Sequence, residues 1–155
     1  LSKKDMGPDR CEEILQNAET GYLAMSLNDR PYCIPFNFWY DRDRSRIYIH
    51  TGLAGMKWDI ITGNPSVCFT VAVPGRKRTG ESPCSYSYEF ESVIVYGKAF
   101  LVDNRDETVD SLNRLIDKYR EGPAGQIPED KLTKLRMLRI DIEKITGRQN
   151  RQRSE

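Results

Sequence analysis

The sequence predicts a mainly β domain with peripheral α helices, a six-stranded antiparallel barrel. Six segments carry the apolar alternation of half-buried strands, and only three show helical apolar spacing. Most neighbouring segments are joined by short turns. The 155 residues, 38% of them hydrophobic, suit a single domain spanning 1–155 with its core in about residues 10–150.

Residues 9–18 predict a helix, with Asp9 as a cap and Ile14 and Leu15 as contacts, ended by Gly21. Residues 22–27 alternate Leu23, Met25 and Leu27 with Tyr22, Ala24 and Ser26, and the turn residues 28–31 send the chain back antiparallel. The next strand, 32–40, places Tyr32, Ile34, Phe36, Phe38 and Tyr40 on one face. Pro35 cannot donate to a ladder, so this strand belongs at an edge or a bulge, with neighbouring backbone groups left for other partners. After a charged turn at 41–45, residues 46–50 form a third strand. A helix over 53–62 offers Leu53, Met56, Ile60 and Ile61 to the core and stops at Gly63-Asn64-Pro65. Val67, Phe69, Val71 and Val73 mark the fourth strand, and 74–87 reads as a long basic loop. The fifth strand, 88–102, bends or bulges at Gly97. Asn104 and Glu107 open a third helix with Val109, Leu112, Ile116 and Tyr119 on one face, closed by Gly122-Pro123. Leu138, Ile140 and Ile142 mark the sixth strand.

Composition narrows the function. Lys and Arg total 24 against 23 for Asp and Glu, without the basic excess of a nucleic-acid binder. The runs 76–78 and 148–153 read as solvated loop or tail charge. The four cysteines form no C-x-x-C pair, and a single histidine leaves no zinc site of familiar spacing, so no metal is expected. Unpaired cysteines fit a reducing, cytoplasmic compartment, and no apolar run approaches the ~20 residues that span a bilayer.

The most suggestive stretch is 47–58. A strand ends at His50, passes through Thr51 and Gly52, and enters a helix carrying Lys57. Helix N-termini present unpaired N–H groups and a positive dipole end, so an anion such as a terminal phosphate fits there. No Gly-Lys-Ser/Thr run follows, which gives nucleotide hydrolysis no support.

The order Tyr32-Cys33-Ile34-Pro35-Phe36-Asn37-Phe38-Trp39-Tyr40-Asp41, then Ile47-Tyr48-Ile49-His50-Thr51 with Lys57, then Asn64-Pro65 resembles the FMN-binding split-barrel superfamily of pyridoxamine 5'-phosphate oxidases. His50, Cys84 ahead of Glu91-Ser92-Val93-Ile94-Val95-Tyr96-Gly97, and Ile145-Thr146-Gly147-Arg148 are similar to its branch named for nitroimidazole resistance proteins. The resemblance implies a split barrel and a homodimer with FMN, or alternatively FAD, bound in clefts built from both subunits. Pro35, Phe36, Asn37 and Phe38 would meet the flavin ring; His50 and Thr51 would lie beside the ribityl chain or phosphate, where Gly52 keeps the backbone approachable; Lys57, next to Met56, would pair with the phosphate; and Ser92 would face the flavin. Met56 stands where many relatives have Arg, removing one charge-assisted partner. Residues 147–150 lack the Arg-rich ending of true pyridoxamine phosphate oxidases.

The expected function is a flavin-dependent oxidoreductase reducing small electrophiles such as nitroimidazoles or nitro-aromatics, with a nicotinamide donor such as NAD(P)H. His50 is the candidate catalytic residue, since imidazole titrates near neutral pH. The alternatives are oxidation of a vitamin B6 phosphate and a non-catalytic flavin carrier or sensor. Eight tyrosines and two tryptophans, Trp39, Tyr40, Tyr86, Tyr88 and Tyr96 among them, favour a subunit interface. Neither nucleic acid nor membrane is an expected partner.

Overall fold

The computed structural model describes residues 4–123 and 125–150. The elements are β1 (Lys4–Asp5), α1 (Pro8–Asn17), β2 (Gly21–Leu27), β3 (Arg30–Phe36), β4 (Trp39–Asp41), β5 (Arg46–Thr51), α2 (Met56–Gly63), β6 (Ser66–Arg78), β7 (Ser87–Leu101), α3 (Arg105–Tyr119), α4 (Glu129–Leu132) and β8 (Arg136–Asn150), with a 3-10 turn at Pro83–Ser85.

The strands pair antiparallel in the order β3-β2-β6-β7-β8-β5-β4, and β1 adds to β8. The two edges of this path, β3 and β4, are separated in the chain only by Asn37 and Phe38. Laid flat, seven strands would put the edges roughly 29 Å apart. The three peptide units from Phe36 to Trp39 reach about 11 Å. The sheet therefore curls until its edges face each other across a seam, giving an open barrel split between β3 and β4.

Seven strands on the path, with the two-residue β1 beside them, replace the predicted six. The predicted strand over 32–40 is in fact two strands, because apolar alternation continues unbroken through the seam at Asn37–Phe38. Pro35 does lie on an edge strand.

Inside the barrel, Leu23, Met25, Phe38, Ile47, Ile49, Phe69, Val71, Val93, Val95 and Ile140 form the main core, closed by Ile14 and Leu15 of α1 and by Ile60 and Ile61 of α2. Pro8 at the first turn starts α1, where a missing N–H costs nothing. The helix at α2 begins at Met56, three residues later than predicted. Gly55 sits at φ 136, a conformation that only glycine adopts easily, and it delays the helix. Leu53 and Met56 are consequently exposed rather than in the core, and Trp58 is buried in their place.

Two predicted boundaries move because pairing, not alternation, extends the strands. The expected loop at 74–87 begins as sheet: Lys77 and Arg78 pair with Tyr88 and Ser87 beyond a register shift after Pro74. Glu89, buried beneath, holds Arg76 and Arg78 at 3.6 Å each, so the run 76–78 is strand rather than loop, with Arg78 covered while Arg76 and Lys77 stay solvated. Likewise β8 runs to Asn150, taking Arg148 into the sheet opposite Ser92, while 151–153 of the second basic run lie outside the described residues. The expected irregularity at Gly97 is present, with the register shifting between Tyr96 and Gly97. A Cβ there would stand 2.2 Å from the Asp141 carbonyl oxygen.

A second core lies on the outer face. Tyr48 and Met137 meet Leu112 and Leu115 of α3, with Trp39, Ile116, Tyr119, Ile127, Leu132 and Leu135 around them. The Asn104 side chain accepts the Glu107 N–H at 2.9 Å and starts α3. Glu107 does not close the capping box: its carboxylate accepts from the Tyr48 hydroxyl at 2.7 Å and from Arg139 at 3.1 Å, mooring α3 across β5 and β8. Among the described residues no helix is long and apolar enough to cross a membrane.

Candidate functional site

A cavity of about 710 Å³ opens at the seam, between the end of β3 and the apolar face of α3. Its volume falls within the range of small-molecule and cofactor sites. Pro35, Phe36, Asn37 and His50 line one side; Leu112, Leu115, Ile116 and Tyr119 of α3, with Ile127 and Leu135, line the other, and Thr20 completes it. Thr20, Asn37, His50 and Tyr119 are its polar residues, and among the described residues no Lys, Arg, Asp or Glu lines it.

The fold places these residues for simple reasons. The edge position of β3 leaves Pro35 and Phe36 unpaired on one side. β5 alternates, so Ile47 and Ile49 enter the core while Tyr48 and the exposed His50 point to the side covered by α3. A second cavity, about 730 Å³, lies between the N-terminal segment and the outer face of β7 and β8 and contains none of the predicted site residues.

Four of the ten predicted residues thus share one cavity. Phe38 is different: its side chain is fully buried, edge-on to Phe69 with ring centroids 4.9 Å apart. Its backbone is also occupied. The Phe38 N–H donates to the Tyr119 hydroxyl at 3.2 Å, and its carbonyl accepts from Lys118 Nζ at 2.8 Å. The backbone freed from the ladder at this residue is taken up by α3.

The predicted phosphate-side residues follow β5 and do not line the cavity. Thr51 is buried, and its hydroxyl donates to the Gly52 carbonyl at 3.0 Å, as does the Trp58 indole N–H at 3.0 Å. Space is open around Gly52. Lys57 Nζ lies 3.5 Å from the position of a Cβ on Gly55, so the ammonium folds back over the first turn of α2, with Met56 exposed beside it. Ser92 is on β7 between Ala72 and Arg148, away from the cavity.

The wall opposite His50 carries no functional signal in the sequence. Leu112, Ile116 and Tyr119 read as an ordinary core face, and Ile127 and Leu135 sit where no periodic signal exists. Lys118 gave no signal either. It is half-buried, without a carboxylate in ion-pair contact among the described residues, and burial pushes its ammonium down to about 8, with Glu19 acting in the opposite sense. Burial also pushes the Tyr119 hydroxyl up, opposed by its bond to the Phe38 backbone.

The fold has solved counterparts. A candidate 5-nitroimidazole antibiotic resistance protein from Bacteroides thetaiotaomicron is 24% identical, with a TM-score of 0.79 over 97% of this chain and 93% of that one. A flavocytochrome from Azotobacter vinelandii is 18% identical at a TM-score of 0.83, over 97% of this chain and 70% of its own. An FAD and heme binding protein from Mycobacterium smegmatis is 14% identical at 0.85, over 98% and 75%. No curated protein matches the chain. The family model described as pyridoxamine 5'-phosphate oxidase matches residues 7–149, nearly the whole of the seam, cavity and sheet just described, and the chain belongs to that family.

Proposed function

We propose that the chain is a flavin-dependent reductase of small, uncharged electrophiles, nitroimidazoles and other nitro-aromatics among them, acting as a cytoplasmic homodimer. The observation that carries this reading is the seam cavity. It joins the end of an edge strand and the chain's only histidine to an apolar wall that carries no charge among the described residues. Family membership and the flavin-binding names of the similar structures support a flavin there, FMN or FAD.

The residues fit such a group. Pro35, Phe36 and Asn37 offer a flat apolar surface with polar edges for a ring system. Space is open at Gly52, with Met56 exposed and Lys57 folded over the first turn of α2, an approach suited to an anionic phosphate, while Thr51 stays buried beneath it. When bound, the flavin would supply the electron transfer between a nicotinamide donor and the acceptor. The protein's part is to orient both partners and exclude water. His50, at the cavity edge, is the group placed to hand a proton to a reduced acceptor.

Dimerisation draws support from exposed aromatics: Tyr22, Tyr86, Tyr88 and Tyr96 all show large side chains to solvent. Trp39 and Tyr40 do not belong to that set, since Trp39 stacks on Tyr48 and Tyr40 is buried. Ser92, remote from its own cavity, would meet a flavin only as the contribution of a second copy.

Among the described residues the lining is uncharged, which favours a neutral acceptor over a vitamin B6 phosphate. The deciding experiment is anaerobic: flavin-loaded protein is reduced with NADH or NADPH and offered a panel of acceptors, with pyridoxamine 5'-phosphate as a parallel substrate. Preferred turnover of nitro-aromatics is expected. Equal slow rates with every acceptor would make it a carrier or sensor, and preferential oxidation of the B6 phosphate would replace the reductase reading.

A further inference from the structure

Lys118 and Tyr119 end α3, and between them they bond to Phe38, which crosses the seam, and to the segment that leads into β2. Lys118 Nζ donates to the Ala18 carbonyl at 2.6 Å and the Phe38 carbonyl at 2.8 Å, and it sits 3.8 Å above the centre of the Phe38 ring. The Tyr119 hydroxyl has a single proton, and its nearest acceptor is the Glu19 carbonyl at 2.5 Å. It accepts the Phe38 N–H at 3.2 Å, with the Phe38 carbonyl a more distant 3.2 Å acceptor for the same proton. Residues 18 and 19 lead directly into Thr20, and Phe38 directly follows Asn37; both Thr20 and Asn37 line the cavity.

These contacts do what the sheet cannot. Residue 38 lies between strands at opposite ends of the sheet path, so no ladder partner can hold it. An apolar side chain at 118 would bury more cheaply than an ammonium held away from water. What the ammonium adds is direction: it bridges the Ala18 and Phe38 carbonyls just beyond the end of the ladder, where Gly21 pairs with Phe36.

We infer that Lys118 and Tyr119 are positioning residues, a two-residue lock that fixes the Asn37–Phe38 crossing and the Thr20 segment and thereby sets the mouth of the cavity. The lock itself is independent of which ligand is bound. Its effect on cofactor affinity rests on the flavin reading proposed above.

The test uses the full chain as wild type, Lys118→Met, Lys118→Arg and Tyr119→Phe. Amide exchange is followed by NMR without ligand, and FMN is then titrated. Lys118→Met keeps the apolar stem and removes the donor, while Tyr119→Phe removes only the hydroxyl that accepts from Phe38. In both, exchange at the Phe38 amide should rise about tenfold or more, with protection in β7 and β8 unchanged, and FMN should bind about tenfold more weakly. Lys118→Arg, which retains charge and donors, should recover both properties. Should Lys118→Met lose protection throughout the sheet, Tyr119→Phe decides. Unchanged Phe38 exchange in Tyr119→Phe overturns the lock, and faster exchange with undiminished FMN affinity overturns its role at the cavity. A wild type that binds neither FMN nor FAD would fail the flavin reading alone, leaving the lock to be judged on Phe38 exchange.

Discussion

Replacing Glu107 with Gln probes how α3, and with it the far wall of the cavity, is moored to the sheet. The Glu107 side chain is 20% exposed and receives the Tyr48 hydroxyl at 2.7 Å, Arg139 Nη1 at 3.1 Å and Arg46 Nη1 at 3.5 Å. Burial alone pushes its carboxyl up, but the Tyr48 hydroxyl and the Arg139 and Arg46 guanidinium groups outweigh it and hold the carboxyl below the usual carboxylate range. Gln keeps one oxygen for Tyr48 and turns an NH2 toward two cations. Asp141 still pairs with Arg139 at 2.9 Å and Arg46 at 3.2 Å, so neither guanidinium is stranded. Hydrogen bonds to charged groups contribute about 1.5–3 kcal/mol each, and with Asp141 in place the expected cost is about 2–3 kcal/mol. A folded value below the unfolded one means that the stabilisation is present above the unfolded value and lost as pH falls through the folded one. Urea denaturation of both proteins, at neutral pH and again at about pH 3, should show a gap that narrows in acid. A cost under about 0.5 kcal/mol, or one equally large at both pH values, would refute the mooring argument.

Four further outcomes are expected. Lys118 titrates at about 8 in the folded chain against its ordinary 10.5, so the unfolded state holds more protons between those values and stability rises with pH across that window. Lys118→Met should flatten this rise, as measured by denaturation at several pH values. His50→Ala should lower turnover far more than flavin occupancy, and equal turnover per bound flavin would remove His50 from proton delivery. Ile116→Trp, which projects an indole into the cavity, should raise the acceptor KM about tenfold with little change in melting temperature, as steady-state kinetics and calorimetry would show. Gly97→Ala drives a methyl against the Asp141 carbonyl oxygen and should cost about 1–3 kcal/mol in denaturant unfolding, with β7 and β8 losing amide protection first.

The legible parts of the fold were those written in local pattern. Alternation located β2, β5, β6, β7 and the centre of β8; Pro35 identified an edge strand, and Asn104 with Glu107 marked the start of α3. The seam was not legible, because alternation in Tyr32, Ile34, Phe36, Phe38 and Tyr40 persists while the chain leaves one sheet edge and joins the other. The extensions of β6 and β8 were hidden for a related reason: Arg76, Lys77, Arg78 and Arg148 are held by partners distant in sequence, and their own composition reads as loop. At the site, the β3 segment and His50 could be singled out beforehand. The wall facing them could not, since Leu115 and Ile127 become cavity lining only once α3 is laid over β5. Lys118 shows the same limit, as its two carbonyl partners lie 80 or more residues away.

Whether the seam cavity holds a flavin is decided by the absorption spectrum of the purified chain, followed by heat release and chromatography of any chromophore and by titration with added FMN and FAD. Flavin bands, or stoichiometric uptake of one of the two flavins, are expected. A colourless chain that takes up neither flavin would contradict a flavin site.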